Sequence, residues 1–280
     1  MATSQSCGIT FWSQVEIDSF PSDYPGCTEI SGLQFDSDVT NLDSFYNVTK
    51  ISGNVNLCSS NLVDISGLEN LDSISGFVIL QEITLIGNFN SIEFIGGDLN
   101  INNSSNEGDQ IDFTNLQFIG SNLNIDYNPG IIDSFNIFNA LDSIDGFINI
   151  SLTNSNLEGF NQLQKTERLS FYIGNDNNNT NLGIQNAFNN LISTNYISMY
   201  GGSGAVLNNS FSSISTIHEY LTLDFVSIMN FPFTSLTSVN DVILSSVSNL
   251  QSLTDLNSNL NITNILAVCR RKANELRVGK

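Results

Sequence analysis

Basic residues are scarce in this chain, and most of them lie at its C-terminus. Of 280 residues only 8 are Lys or Arg, against 28 Asp or Glu, which gives a net charge of −20. Five of the eight basic residues fall between Arg270 and Lys280. An acidic body repels phosphate backbones and anionic lipid headgroups, so the composition argues against nucleic-acid binding by the main part of the chain.

Long hydrophobic runs are also missing. No stretch approaches the roughly 18 consecutive apolar residues of a membrane helix, and the opening M-A-T-S-Q-S lacks the basic region and apolar segment of a signal peptide. Hydrophobic residues nevertheless make up 40% of the chain, which is enough to bury a core. We therefore expect a folded protein that does not insert into a membrane.

Residue patterns that carry catalysis or bind metals are rare. His218 is the single histidine, and G-G-S-G at 201–204 lacks the strand-to-helix context of a nucleophile elbow. Asp98 and Asp241 are expected several coils apart, too far for a catalytic carboxylate pair. The segment 174–181 resembles a calcium loop but lacks its Gly and its distal Glu. We expect no enzymatic activity, no metal and no cofactor.

The chain does contain an internal repeat. Three apolar residues spaced three apart recur along it, and their starts lie 17 to 28 residues apart, which is the period of a solenoid coil. Most starts are Phe, so we expect a column of aromatic rings in the interior. The triplets start at Tyr24, Phe45, Leu68, Phe89, Phe113, Phe138, Phe160, Phe188, Phe211, Phe233 and Leu250.

An alternating apolar pair follows most triplets, as in Val55/Leu57 and Leu221/Leu223. Period two indicates a strand with one buried face. A Gly often precedes the pair, as in I-S-G-N-V, where it would take the unusual φ/ψ of a corner. Stacked coils predict an all-β fold, a right-handed parallel β-solenoid of about 10–11 leucine-rich-repeat-like coils.

The predicted organisation is an N-terminal cap at 1–29, the β-solenoid at 30–263 and a basic C-terminal tail or cap at 264–280. Ser13 would cap a short helix that carries Trp12, Val15 and Phe20 toward the first coil and covers its open edge. As a helix, the tail would either cap the last coil or dock on the acidic body of the next chain, which would build head-to-tail fibres.

The I-x-G-x-L-x-I strands, the L-x-S-I corners and the N-terminal W-S-Q-V-E-I-D-S-F helix between Cys7 and Cys27 resemble the receptor L-domain family. These are the ligand-binding modules of insulin-receptor-like and epidermal-growth-factor-receptor-like ectodomains, and similar repeats occur in fungal cell-wall and bacterial surface proteins. The resemblance covers about residues 7 to 263. It implies an extracellular or cell-surface β-solenoid used for binding or for building a surface.

The cysteines agree with an extracellular setting. Four cysteines allow three pairings, and Cys7 with Cys27 is the natural disulfide because it closes the cap. Cys58 and Cys269 are expected many coils apart, too far to be bridged within one chain. Cys58 is predicted to be a buried thiol.

Phe77, Phe147, Tyr196 and Tyr220 occupy outward positions on the predicted strand face, among Asn and Ser. Such rings suit a protein or glycan ligand, although packing or incidental exposure would explain them too. We expect a non-enzymatic extracellular binding or adhesion module. The alternative is a structural subunit of a filament or surface layer that self-associates head to tail.

Asn-x-Ser/Thr sequons mark N-glycosylation acceptors if the protein follows a eukaryotic secretory route. They begin at Asn47, Asn102, Asn103, Asn149, Asn178, Asn208 and Asn261.

Overall fold

A computed structural model gives the fold. About half of the chain is strand, the described residues contain one α-helix, and parallel sheets form a β-solenoid of about nine turns with a short N-terminal helix, which confirms the predicted fold class. Two compact units are present, Met1–Gly130 with Ile137–Leu141 (unit 1) and Ile131–Asn136 with Asp142–Lys280 (unit 2). The residues that the structure describes are 5–35, 38–58, 61–81, 89–103, 112–127, 134–135, 137–153, 156–174, 182–229, 232–248 and 261–268.

Unit 1 begins with the predicted capping helix, α1 (Gln14–Asp23). Ser13 Oγ accepts a hydrogen bond from the Glu16 N–H, and Glu16 Oε2 accepts one from the Ser13 N–H at 3.1 Å, so the two residues form a capping box. The Trp12 N–H donates to the same carboxylate at 2.9 Å. The bond from Trp12 is the largest influence on the pKa of Glu16. Together with the bonds from Ser13 it keeps this pKa below its ordinary value, although burial raises it.

The helix packs toward the first coil through Phe20, as predicted, but not through Trp12 or Val15. Ile17 and Phe20 are buried, and the Phe20 ring meets the Phe45 ring at 5.1 Å. Trp12 and Val15 are 46% and 76% exposed, so their predicted packing is wrong. Ile17 and Phe20 lie three residues apart and therefore share one helix face, which Val15 does not.

The strands of unit 1 form two parallel sheets, each of which adds one short strand per coil. The first is β1 (Thr10–Phe11), β3 (Gly32–Gln34), β5 (Val55–Leu57), β7 (Val78–Gln81), β9 (Leu99–Asn103) and β11 (Leu123–Tyr127). The second is β2 (Glu29–Ile30), β4 (Lys50–Ile51), β6 (Ser73–Ile74), β8 (Phe94–Ile95) and β10 (Phe118–Ile119). Short 3-10 helices at Asp43–Phe45 and Ser66–Leu68 form part of the turns between coils.

Equivalent residues of successive coils lie in register. Val55 pairs with Val78, Val78 with Leu99, and Leu99 with Leu123, and all four side chains are fully buried. The apolar residues therefore form continuous rows in which each coil covers the next.

The corner glycines are needed for space rather than for backbone conformation. Positive φ is found at Gly8, Gly26 and Gly159, not at the glycines that precede the strands, so the predicted unusual φ/ψ is wrong. A Cβ on Gly97 would lie 2.8 Å from the Phe77 nitrogen and 2.9 Å from the Gly76 carbonyl carbon. The backbones of neighbouring coils thus approach each other too closely for a side chain.

The described strands of unit 2 range from two to sixteen residues, and the longest exceed every described strand of unit 1. They are β12 (Ser134–Phe135), β13 (Ser143–Ile144), β14 (Phe147–Thr153), β15 (Asn156–Gly159), β16 (Arg168–Gly174), β17 (Gly183–Ala187), β18 (Ser193–Asn208), β19 (Thr216–Met229), β20 (Ser238–Ser245) and β21 (Asn261–Val268). β14, β16, β18, β19, β20 and β21 pair in this order, all in parallel.

β18 and β19 follow the coil around its corners. Their pairing shifts register between Thr194 and Tyr196 and again between Tyr200 and Ala205. The two shifts divide the pairing into three segments, and the middle segment, Tyr196–Tyr200 in β18, pairs with β16 as well as with β19.

The last described strand continues beyond the residue at which the solenoid was predicted to end. β21 pairs with β20 from Asn261 to Val268, past residue 263. Ile265 to Val268 are thus strand rather than the start of a tail helix, and the rest of the predicted tail lies outside the described residues.

A column of buried phenylalanines is present as predicted in both units. Each ring is at most 1% exposed. The rings are Phe45, Phe89, Phe113 and Phe138 in unit 1, and Phe160, Phe188, Phe211 and Phe233 in unit 2. Phe113 stacks on Phe89 at 5.2 Å and on Phe138 at 5.8 Å. Tyr24 is 39% exposed and does not begin the column, because it ends α1 instead.

Three phenylalanines of the buried column in unit 2 take a left-handed backbone conformation, and so does the exposed Phe225. Phe160, Phe188 and Phe211 have φ of 55°, 58° and 59°. Such a residue costs about 1–3 kcal/mol when it is not Gly. Phe188 stacks on Phe160 at 4.8 Å and on Phe211 at 5.2 Å, so full burial and ring stacking offset this strain.

The cysteines follow the prediction in part. Cys7 and Cys27 form a disulfide with an S–S distance of 2.07 Å. Cys58 is exposed rather than buried, and its thiol donates to Asn56 Oδ1 at 2.8 Å. Val55 and Leu57 face inward, so Cys58 follows the inward position and faces solvent. Cys269 lies outside the described residues.

Replacing Phe113 by Ala tests the aromatic column. The change removes a fully buried ring between two stacked neighbours, so we expect a loss of about 3–5 kcal/mol in the free energy of unfolding. Urea denaturation measures it, with the exposed Tyr46→Ala as control. A loss equal to that of the control would contradict the core role of the column.

Replacing Gly97 by Ala tests the close approach of neighbouring coils. We expect the free energy of unfolding to fall by about 1–3 kcal/mol, since the added methyl group must push two backbones apart. The neighbouring Ser75→Ala, at an exposed corner position, is the control. Equal thermal midpoints for the two variants would show that the corner tolerates a side chain.

Candidate functional site

The four predicted ligand residues lie in different parts of the structure. Phe77 belongs to unit 1, directly before β7, and is half-buried. Phe147, Tyr196 and Tyr220 belong to unit 2 and occupy one aligned row across β14, β18 and β19. The latter three therefore form part of one surface, which is described below.

Asn and Asp side chains form hydrogen bonds between neighbouring coils on the face of unit 1 around Phe77. The Phe77 N–H donates to Asn54 Oδ1 at 3.1 Å. One coil further, Asp98 Oδ1 accepts from the Asn122 N–H at 2.8 Å and from Asn122 Nδ2 at 2.9 Å. Burial raises the pKa of Asp98, but hydrogen bonds from Ser121 and Asn122 outweigh it and lower the pKa below its ordinary value.

One surface of unit 2 is formed by the outward side chains of β14, β16, β18 and β19. They stand in three aligned rows of four, which we call the tyrosine face. The outer row is Phe147, Arg168, Tyr196 and Tyr220, the middle row is Asn149, Ser170, Ser198 and Thr222, and the far row is Ser151, Tyr172, Tyr200 and Asp224.

Alternation along each strand determines which side chains reach this face. In β16, Leu169, Phe171 and Ile173 are buried, whereas Arg168 and Tyr172 are exposed. The same pattern holds in β18 and β19. The apolar residues between the rows anchor the strands to the core, so the tyrosine face rests on a rigid support.

The outer row contains two ring contacts. The Arg168 guanidinium lies over the Tyr196 ring, 4.6 Å from its centroid, in a cation–π arrangement. Tyr196 and Tyr220 meet edge to face with centroids 5.8 Å apart. One face of the Tyr196 ring is therefore already covered by Arg168.

The far row contains aromatic residues that the sequence analysis missed. Tyr172 and Tyr200 stack at 5.4 Å with 8° between their planes, and Phe225 meets Tyr200 edge to face at 5.8 Å. The three are 46%, 43% and 46% exposed. The alternation that placed Tyr196 outward, continued along the same strand, would have placed Tyr200 outward too.

Short polar side chains separate the two aromatic rows. Asn149, Ser170, Ser198 and Thr222 are half-buried and repeat once per coil. Their hydroxyl and amide groups donate and accept hydrogen bonds. On β18, the short Ser198 lies between Tyr196 and Tyr200. We call the middle row the polar floor and the tyrosines on either side of it the walls.

The tyrosine face carries little charge. Its twelve positions include one cation, Arg168, and one carboxylate, Asp224, in a chain whose net charge is −20. Asp224 Oδ1 is shielded from solvent and accepts no hydrogen bond within the described part of the chain. Among the same residues, no group of three or more His, Cys, Asp or Glu is placed to hold a metal ion.

The other polar residues considered from sequence are dispersed. His218 is exposed at the bend of β19. Asp241 on β20 accepts a hydrogen bond from Asn264 Nδ2 at 2.7 Å. Gly201 and its neighbours form part of β18, and the loop that resembled a calcium loop lies outside the described residues apart from its first residue, Gly174.

The sequons differ in their surroundings. Asn47 is exposed in a turn, and Asn102 and Asn261 are exposed on strands. Asn149 lies in the middle of the tyrosine face, and Asn208 is half-buried beside the fully buried Ser210. The side chain of Asn103 and the whole of Asn178 lie outside the part of the chain that the structure describes.

Comparison with protein-family models, with curated proteins and with solved structures finds no match to this chain. The resemblance to receptor L-domains therefore stays a prediction. No helix in the described residues has the length and apolarity needed to cross a membrane.

Acid titration of stability tests the Asp98 hydrogen bonds. A carboxyl whose pKa is lower in the folded chain stabilises the fold above its unfolded pKa of about 3.9, and this contribution is lost as the pH falls through the folded pKa. Asp98→Asn should therefore lower the free energy of unfolding at pH 7. In acid, the difference in this free energy between the variant and wild type should disappear. Urea unfolding across this range measures it, with Asp126→Asn as the control for net charge. A difference that stays constant with pH would contradict the assignment.

Proposed function

We propose that this protein is a non-enzymatic extracellular or cell-surface binding module that uses the tyrosine face to hold a ligand. The observation that carries the proposal is a set of five aligned rings on one face of the sheet, of which Tyr172, Tyr200 and Tyr220 are exposed and Phe147 and Tyr196 are half-buried. Rings held at fixed spacing lose little conformational freedom on binding, and Tyr and Arg dominate the energetics of many recognition surfaces. Isolated exposed rings would need no such explanation.

The setting is supported by the cysteines and by the resemblance noted from sequence. A disulfide such as Cys7–Cys27 persists in oxidising compartments, which include the cell exterior. Receptor L-domains are extracellular ligand-binding modules, and the β-solenoid fold agrees with that resemblance. The absence of a carboxylate pair or a nucleophile with its base among the motifs of the sequence supports a role without catalysis.

The alternative, a filament subunit assembled by stacking coils from chain to chain, is less well supported. Such stacking needs an open coil at both ends. At the N-terminal end, α1 buries Phe20 against Phe11 and Phe45, so the first coil is already covered by the chain's own helix. A further coil would have to displace this helix.

Binding assays on the two aromatic positions at the ends of the outer row test the proposal. The wild-type protein is screened against immobilised glycans, matrix proteins and synthetic peptides, together with Phe147→Ala/Tyr220→Ala and the control Trp12→Ala/Tyr46→Ala. We expect the face variant to bind at least about tenfold more weakly than wild type, as for loss of an anchoring ring. The control should bind normally.

Thermal unfolding of the same variants checks that the rings are not part of the core, since surface truncations change stability by about 0.5 kcal/mol or less. Binding that is unaffected by the face variant, or no binding across the panel, would refute the proposed function.

A further inference from the structure

We propose that the tyrosine face binds a proline-rich segment of a partner protein in the polyproline II conformation. The inference rests on the proposed function and names the class of ligand. It is argued from the spacing of the rows, the packing of the rings, the polar floor between them and the charge of the surface.

The repeat of the face matches the repeat of a polyproline II helix. Adjacent parallel strands lie about 4.8 Å apart, so two coils span about 9.6 Å. A polyproline II helix rises about 3.1 Å per residue and completes a turn in about 9.3 Å. A segment lying across the strands therefore presents the same groups to every second coil.

The walls of the face fit proline rings. The outer and far rows are four residues apart along each strand, which separates their backbones by about 13 Å. On β18, Tyr196 and Tyr200 stand on either side of the short Ser198. On β16, Arg168 and Tyr172 stand on either side of Ser170. Across these two strands the longer side chains therefore flank a shallow channel. Channels lined by aromatic side chains are the usual binding sites for such segments.

The floor of the channel supplies hydrogen bonds that a polyproline II backbone needs. That helix has no internal hydrogen bonds, so its carbonyl groups point outward and remain open to donors. Ser170, Ser198 and Thr222 place one hydroxyl per coil along the channel. The phenolic groups of the walls add further donors.

The packing of the rings favours a peptide over a carbohydrate. Carbohydrate rings bind best against an open aromatic face, where their C–H groups meet the negative π-surface. Arg168 covers Tyr196, and Tyr172 and Tyr200 stack on each other. One face of Tyr196 and the facing sides of Tyr172 and Tyr200 are therefore occupied, which leaves less open aromatic surface for a sugar ring, whereas the phenolic hydroxyls can still hydrogen-bond to a peptide backbone.

The charge of the surface favours an uncharged segment. Arg168 and Asp224 are the two charged residues of the tyrosine face, Asp241 pairs with Tyr220 at its edge, and the chain as a whole carries a net charge of −20. Anionic ligands are repelled by the body, and a strongly cationic ligand would bind wherever carboxylates lie rather than at this face. A run of prolines carries no charge, so neither effect acts on it.

Fluorescence anisotropy with labelled decaproline tests the inference. Ten prolines extend about 31 Å in this conformation, enough to cross all four coils of the face. We expect saturable binding below about 1 mM, and none of a glycine–serine peptide of equal length. Tyr196→Ala/Tyr200→Ala should weaken binding at least about tenfold, as expected for loss of two anchoring rings.

Two further variants separate the floor from the walls. Ser198→Ala/Thr222→Val removes two donors while keeping side-chain volume, and it should weaken binding about threefold to tenfold. Tyr46→Ala, which removes an exposed ring from unit 1, should bind like wild type. Circular dichroism melting of each variant confirms that the fold is retained.

Three outcomes would overturn the inference. They are no binding of decaproline, equal binding of the glycine–serine peptide, and binding that the variants of the tyrosine face leave unchanged. If cellohexaose, a neutral oligosaccharide, binds the face and decaproline does not, the ligand class is wrong while the proposed binding function stands. Failure of every ligand in the wider screen would instead remove the function itself.

Discussion

Each coil of this protein buries its apolar side chains only against the coils before and after it, and this constraint determines the rest of the structure. Parallel pairing holds Val55, Val78, Leu99 and Leu123 in one buried row, and the stacked phenylalanines form another. A residue that departs from its row would leave a gap in two neighbours. This is why a Cβ at Gly97 has no room and why Phe188 accepts a left-handed backbone.

The same stacking creates the candidate site. Because inward side chains repeat from coil to coil, the outward ones are brought into register as well, whatever they are. On β16, β18 and β19 these positions hold Arg168, Tyr196 and Tyr220 in one row and Tyr172 and Tyr200 in another. The aromatic rows are thus ordered at no further cost, since the core already holds the strands.

The end coils of a solenoid have a neighbour on one side only, so one side of their apolar residues must be covered by other means. At the N-terminus, α1 places Phe20 over the first rings of the column, and the capping box at Ser13 and Glu16 holds the start of the helix. The disulfide between Cys7 and Cys27 ties the segments on either side of α1 together. The cap therefore depends on local hydrogen bonding and a covalent link rather than on the repeat.

The sequence alone determined the repeat, the inward residues of each coil, the phenylalanine column and the N-cap at Ser13, because each follows from local spacing or local hydrogen bonding. It also placed Tyr196 and Tyr220 outward. Only the tertiary structure showed that Tyr172, Tyr200 and Phe225 contact one another beside the polar middle row. The exposure of Trp12, which was expected to pack inward with Phe20, and the clash that excludes a Cβ at Gly97 likewise depend on residues distant in the chain.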